Sequence, residues 1–338
     1  LSALVLPPLT CQLTWGDLTW TVNGLLLLMM VFRAFHGLSI AAFVVAYSAL
    51  VVDISPPANR GEVIGYMSLV NPIGMALGPA LGGFLLEWNS FWVAFLAMGI
   101  LGILGVFLVN QVQETYQPIS REVVPSQPKP LFWRLLLTPR VRTPAIILLL
   151  VGLAFGTLST FVPLFVRETD VALNVGLIYT ASAIASFAIR LLVGRASDRY
   201  GRGRFITISL LLYTLSMGVF WQAQTPVMFL LAGLIQGSAA GTLIPMIAAL
   251  MGDRSQPDER GKIFGLAMVG FDIGIALAGP FFGTFADWVS YRDTFGLAAC
   301  MTFIGLLIFI TASSKDLGHS LRFSLSHGRD VYAIDSHR

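Results

Sequence analysis

Residues 37–95 recur at 237–295. Gly37, Ala49, Leu50, Asp53, Ser55, Pro57, Arg60, Gly61, Gly65, Gly74, Leu77, Gly83, Trp88, Ser90 and Phe95 each have an identical residue 200 positions later, from Gly237 through Asp253, Arg260, Gly274 and Trp288 to Phe295. The register holds across two apolar stretches, a charged loop and the start of a third apolar stretch. A long-period repeat in so apolar a chain signals a membrane protein built from two similar halves, with room for a binding site between them.

Charge is scarce and clustered. Charged residues are 12% of the chain, hydrophobic ones 56%, and the mean hydropathy is +0.77; a soluble domain carries about twice that charge. Uncharged runs cover 63–86, 88–113, 143–166, 171–189, 205–252 and 294–314. A spanning helix needs about 20 apolar residues and satisfies its own backbone in lipid. The run 205–252 is long enough for two, with a polar turn at Gln222–Pro226. The expected spans are 25–51, 62–86, 90–110, 143–166, 171–190, 205–222, 226–251, 263–286 and 294–314. Residues 1–22 are the irregular mate of the 205–222 region, with Pro7-Pro8, Trp15 and Asp17. A distorted helix is the preferred reading there, the other being a stretch not authentic to the rest of the chain.

The basic residues are sorted by side. Arg60; Arg121, Lys129, Arg134, Arg140 and Arg142; Arg190, Arg195, Arg199, Arg202 and Arg204; Arg254, Arg260 and Lys262; and Lys315, Arg322, Arg329 and Arg338 fall in one alternating set of loops, against Arg167 and Arg292 in the other. The positive-inside rule puts the first set, with the C-terminus, in the cytoplasm. The net charge of +3 follows from that sorting and gives no reason to invoke nucleic acid. Residues 112–142, with four prolines among charges, are expected as a cytoplasmic linker, in which Phe132-Trp133-Arg134 suggests an interfacial helix. The expected organisation is a partial first half at 1–111, the linker at 112–142, a six-helix half at 143–314 and a cytoplasmic tail at 315–338.

No Gly-x-x-x-x-Gly-Lys loop suggests nucleotide hydrolysis. The four His, of which His36 alone lies in a span, form no zinc site. Cys11 and Cys300 lie in apolar stretches and suggest packing, not a disulfide or metal.

Three motifs carry chemistry. In the first, Gly65, Gly74, Gly78-Pro79 and Gly82-Gly83 place small residues where another helix can approach, and Pro79 removes a helix hydrogen bond; an ordinary packing seam is the plainer reading. The second is Gly194-Arg-Ala-Ser-Asp198-Arg199-Tyr-Gly201-Arg202. Here Gly201 permits a tight turn, and Asp198 suits a helix N-terminus, where the macrodipole favours an anion; the plainer reading is a basic loop serving topology. The third is Arg33-Ala-Phe-His36-Gly37. An arginine within a span costs a few kcal/mol unless it faces a partner or a wet cavity, so Arg33 is a functional candidate unless it snorkels to the interface. His36 is a weaker candidate for a proton switch. Asp272, in Gly270-Phe-Asp272-Ile-Gly274, is the other intramembrane charge, suited to taking a proton or meeting a cationic substrate, or bonded to a neighbouring helix. Asn71, Thr157, Thr160, Tyr179 and Gln236 are cavity candidates, each more simply explained by packing.

The spacing of the glycine–proline motif resembles the helix 5 signature of antiporters of the major facilitator superfamily. The Gly194–Arg204 stretch resembles that superfamily's cytoplasmic loop signature, and Arg33 to Gly37 its helix 4 signature, with His36 where the family usually has Gln. The resemblance covers residues 25–314. It implies an all-α membrane protein of two pseudo-symmetric six-helix halves working by alternating access, and the helix 5 signature implies efflux of a small amphipathic compound in exchange for protons. Arg33, His36 and Asp272 are then candidates for coupling or substrate contact. The glycine–proline motif becomes a hinge and seal between halves. Gly194, Asp198, Arg199, Gly201 and Arg202 become a cytoplasmic gate, with Asp198 directed at the start of span 62–86. The expected partners are the bilayer, the small-molecule substrate and protons, with no cofactor, no enzymatic activity and a monomeric state. Two alternatives stay open: proton-coupled import of a sugar or other metabolite, and a non-transporting fragment. The latter arises because the mates of the spans at 143–190 would lie before Leu1, so about two helices of the first half are expected to be missing.

Overall fold

Long uncharged runs become helices wherever lipid leaves the backbone no other partner. The computed structural model describes residues 10–15, 18–54, 70–88, 91–112, 132–256, 260–286, 288–325, 328 and 330–334. It divides into two compact units, Leu1–Val70 with Phe107–Ser120, and Asn71–Val106 with Arg121–Arg338.

In the first unit the N-terminal stretch corrects the helical expectation. Strands β1 (Thr10–Trp15) and β2 (Leu18–Asn23) pair antiparallel, with Trp15 opposite Leu18 and Thr10 opposite Asn23. The cue is in the sequence. Thr10, Gln12 and Thr14 alternate with Cys11, Leu13 and Trp15, and the dipeptide Gly16-Asp17 is of a type that signals a two-residue hairpin loop. Helix α1 (Gly24–Ile54) follows.

The remaining helices are α2 (Val70–Trp88), α3 (Phe91–Val109), α4 (Phe132–Leu136), α5 (Pro139–Glu168), α6 (Val175–Tyr200), α7 (Arg202–Gln222), α8 (Pro226–Asp253), α9 (Arg260–Ala286), α10 (Tyr291–Ala312) and α11 (Leu317–Ser324). Every expected span meets one of them, and Phe132-Trp133-Arg134 opens the short helix α4. Among the described residues, α5, α7, α8, α9, α10 and nearly all of α3 are long and apolar enough to cross a membrane. The offset survives in helix boundaries to within one residue: α3 and α10 start at 91 and 291, and α1 and α8 end at 54 and 253.

Local chemistry sets the helix starts. Asn174 caps α6 by accepting from Gly176 N at 2.7 Å. Ser290 caps α10 through Asp293 N at 3.1 Å. Thr225 precedes Pro226 at the head of α8, joining a capping hydroxyl to a proline whose missing N–H costs nothing there. Between α6 and α7 the chain turns on one residue, Gly201, at φ 82° and ψ 140°. That conformation excludes side chains, as the sequence led us to expect. Gly201→Ala should cost about 1–3 kcal/mol, read as a lowered unfolding midpoint in detergent.

Helices α5 to α10 form a bundle whose contacts repeat. Helix α5 packs on α9 and α10, α8 packs on α6 and α7, and α7 packs on α10. Exchanging α5, α6, α7 for α8, α9, α10 maps this set onto itself. Because each triplet has an odd number of helices, the two run in opposite directions, which is the inverted repeat found within transporter halves.

The repeat is also a chemical one. On the α8 seam, Gly233, Gly237 and Gly241 face Ile178, Ser182 and Ser186 of α6. A Cβ at Gly237 would overlap the Ser182 carbonyl, and one at Gly233 would stand 2.8 Å from the Ile178 oxygen. On the matching seam, Gly152 and Gly156 of α5 meet Phe271, Ile275 and Ala278 of α9, and Gly270 and Gly274 of α9 meet Ala145 and Leu149 of α5. Small residues every fourth position let the backbones close up, the main source of helix attraction where lipid removes the hydrophobic drive.

Two apolar clusters fill the bundle. One runs from Leu135 and Val141 through Ile206, Leu210 and Leu250 to Phe309 and Phe323. The other is rich in phenylalanine: the Phe165 ring lies 5.3 Å from Phe229 and 5.5 Å from Phe295, and Phe220 lies 5.3 Å from Phe295. Cys300 departs from the packing role expected of it, since it is exposed on α10.

Candidate functional site

The sequence candidates fall in different places. Arg33 and His36 lie one turn apart on α1, both exposed. Asp272 is exposed on α9, while its neighbours Phe271 and Gly274 are the residues that meet α5. Arg33 belongs to the first compact unit and Asp272 to the second.

Of the glycine–proline motif, Gly65 lies outside the described residues. Gly74, Gly78 and Gly82 recur every fourth position along α2, and nothing approaches within 4 Å of a Cβ built on them. Pro79 lies in the same helix. Gly83 is different. A Cβ there would stand 2.7 Å from Asn174 Oδ1 and 3.1 Å from Gly176, so the motif meets the capped start of α6.

The expected basic loop proves to be mostly helix. Gly194, Asp198 and Arg199 lie within α6, which runs to Tyr200; the side chains of Asp198 and Arg199, and the start of span 62–86, lie outside the described residues. Arg202 opens α7. It donates to the Ala249 carbonyl and pairs with Asp253 at 2.5 Å, tying the α6–α7 turn to the end of α8.

Beside it stands a group that sequence reasoning missed. Arg254 is wholly buried. Its Nε and Nη2 hold Asp330 at 2.6 and 3.0 Å, its Nη2 donates to Ser313 O at 2.8 Å, and its Nη1 donates to Arg140 O at 3.1 Å. The guanidinium also lies 5.1 Å from the Tyr332 ring centre. One arginine thus joins the start of α5, the end of α10 and the C-terminal segment. Helix α11, capped by Asp316 through His319 N at 2.8 Å, lies against α7, where Thr207 Oγ1 donates to Ser324 O at 3.0 Å. No local pattern announces a pair separated by 76 residues.

Arg190 also moves. Expected in the basic loop, it lies inside α6, ten residues before Tyr200. The sequence signal was Leu191-Leu192-Val193, which resumes the apolar run beyond the charge. Nearby, Ser182 Oγ donates to Gln236 Oε1 at 2.5 Å. Of the other cavity candidates, Thr157 returns its hydroxyl to Leu153 O at 2.9 Å and Tyr179 donates to Leu158 O at 3.3 Å, the helix contacts that were their simpler reading.

A sequence profile described as the Major Facilitator Superfamily matches residues 3–174 and 168–324. The chain is 26% identical over 260 residues to the multidrug resistance protein MdtG of Klebsiella pneumoniae, covering 75% of this chain and 62% of that protein. It is 28% identical over 293 residues to the MdtG of Salmonella arizonae, covering 83% and 69%. To a multi-drug resistance efflux pump, the PmrA homolog of Lactococcus lactis, it is 25% identical over 288 residues, covering 81% and 67%. The chain therefore spans 62–69% of the length of these relatives. With apolar helices of membrane-spanning length and a profile match along almost all of its residues, this chain belongs to the Major Facilitator Superfamily, a family of multi-pass membrane transporters rather than enzymes.

Proposed function

We propose that this chain is a secondary transporter that works by alternating access and exports small amphipathic compounds in exchange for protons, with its basic helix ends and C-terminus in the cytoplasm. The observation that carries this reading is the likeness, over three quarters or more of the chain, to proteins named for multidrug resistance and efflux. The bundle supports it, since two inverted triplets joined by glycine seams are packed units suited to moving as bodies. Gly83 against the cap of α6 is then part of the seal on the outer side. Arg202, with the turn at Gly201, belongs to the inner gate together with Asp198.

Arg33 and Asp272 are the coupling charges of this proposal, with His36 beside Arg33. Cells carrying the chain should accumulate less of an amphipathic fluorophore than control cells, and an uncoupler should erase the difference. Arg33→Ala and Asp272→Asn should each slow uncoupler-sensitive export by roughly tenfold or more, equivalent to about 1.4 kcal/mol in the rate-limiting step, at unchanged expression. Equal accumulation in carrying and control cells would remove the export reading. Greater accumulation, sensitive to the uncoupler, would favour proton-coupled import.

A further inference from the structure

Helix α11 presents three faces. An α-helix turns by about 100° per residue, so Ser320, Phe323 and Ser324 share one direction, Leu317, Leu321 and Leu325 a second, and His319 and Arg322 a third, roughly 120° apart. The first face is buried against the bundle. There Thr207 Oγ1 donates to Ser324 O, and Ser320 Oγ accepts from Ser314 N at 2.9 Å. The second face is bare: Leu317 is 56% exposed, Leu321 40% and Leu325 57%. The third is polar and exposed, and Lys315 stands exposed in the turn before it. Asp316, the one acid between Ser313 and Leu325, is engaged in capping α11 and in pairing with the His319 ring at 2.8 Å.

The neighbours of α11 decide what covers the leucines. It packs on α10 and α7, both long and apolar enough to span a membrane. Each of these shows apolar residues on its exposed side, Leu211 and Leu215 on α7, Phe303 and Leu307 on α10. Helix α7 has 21 residues, so it is about 31 Å long, matching a hydrocarbon core of about 30 Å. Thr207, which holds Ser324, lies about 8 Å along α7 from its basic start at Arg202. Amphipathic helices settle at that level, about 5–10 Å into the boundary between headgroups and acyl chains. A leucine stripe there meets lipid, and cations beside it meet phosphate.

We propose that α11 is an interfacial helix that binds anionic phospholipids at the membrane face where the basic helix ends emerge. Leu317, Leu321 and Leu325 enter the acyl boundary, while Lys315 and Arg322 hold the headgroup phosphates. The partner is a lipid surface and not a soluble anion, because the cations flank an apolar stripe that a soluble anion would leave wet. The Phe323 ring on the buried face lies 5.9 Å from the Arg254 guanidinium, so lipid held on one side of α11 steadies the C-terminal segment docked on the other. The inference goes beyond the transport reading and does not depend on it.

The test uses the full chain with Cys11→Ser and Cys300→Ser, labelled with bimane at Leu321→Cys or at Arg322→Cys, in phosphatidylcholine nanodiscs. A phosphatidylcholine carrying a nitroxide high on its acyl chain should quench the label at 321, which iodide in the water should barely reach. The label at 322 should show the reverse. Exchanging the quencher for nitroxide phosphatidylglycerol at the same mole fraction should raise the quenching constant at 321 about fivefold or more at low salt, the effect of one cation near an anionic surface. Added salt should shrink that gain, and Lys315→Gln with Arg322→Gln should remove it while leaving 321 shielded from iodide. Free access of iodide to 321, or equal quenching by the two lipids in the parent sequence, would overturn the proposal. Shielding in detergent that grows with protein concentration would assign the stripe to a second copy. Shielding in detergent that is independent of concentration, with no quenching by lipid in the disc, would assign it to another part of the chain. Either result also overturns it. Vesicle export separates the two readings: the quenching pattern without export removes only the transport reading, and export without the pattern removes only the interfacial helix.

Discussion

Replacing Arg254 by Ala should destabilise the C-terminal half by about 3–5 kcal/mol, the loss found when one partner of a buried ion pair is removed. The substitution strands the Asp330 carboxylate, 8% exposed, and removes the donors from the Arg140 and Ser313 carbonyls. It also removes the cation beside Tyr332 and Phe323. The consequence is local before it is global. The segment beyond α10 should undock, and trypsin should cut at Arg322, in α11, far faster than in the parent. Arg254→Lys should recover only part of the protection, because an ammonium cannot reproduce the two-pronged contact with Asp330. Replacing both residues by Leu should cost less than Arg254→Ala alone, since no buried charge is left behind. An unchanged cleavage rate in Arg254→Ala would show that the C-terminal segment is held by something else.

The second large effect belongs to Gly237. Gly237→Leu inserts four carbon atoms where the Ser182 carbonyl leaves no room for one. The flanking Gly233 and Gly241 contacts, with oxygens of Ile178 and Ser186 at 2.8 and 2.5 Å of a built Cβ, prevent the helices from pivoting around it. Overpacking costs about 1–3 kcal/mol in cores that can shift, and this seam is backbone against backbone at three successive glycines, so the upper end is expected. The Ser182–Gln236 bond is lost as α6 and α8 separate. Size-exclusion profiles and thermal unfolding of Gly237→Leu and Gly218→Leu make the comparison. Nothing stands within 4 Å of a Cβ at Gly218, so that variant should behave like the parent.

What is legible in the sequence is what depends on local pattern and on repetition. Apolar runs placed the helices, the offset of 200 tied α1 to α8 and α3 to α10, and Gly201 was recognisable as a turn because only glycine tolerates its φ. What stayed hidden depends on partners far along the chain. Asp330 gives no local sign that it will bury itself against Arg254. Arg190 reads as a loop residue because a charge ends the apolar run, although a helix tolerates one cation when its other faces are apolar. The hairpin strands at 10–15 and 18–23 are hidden by the long helices elsewhere, which make helix the default, although alternation with period two runs from Thr10 to Asn23. Of the site, Gly83 and Arg202 make contacts at opposite helix ends, and Thr157, Tyr179 and Gln236 stand in the sequence as cavity candidates more simply explained by packing.

An imposed pH gradient separates exchange of substrate for protons from every other mode of transport. With the chain reconstituted in vesicles loaded with an amphipathic fluorophore and a pH-sensitive dye, an inward proton gradient should drive the fluorophore out as the lumen acidifies, and dissipating the gradient should stop both. Fluorophore moving inward together with the protons, or crossing at the rate of vesicles without the protein whatever the gradient, would contradict proton-driven export.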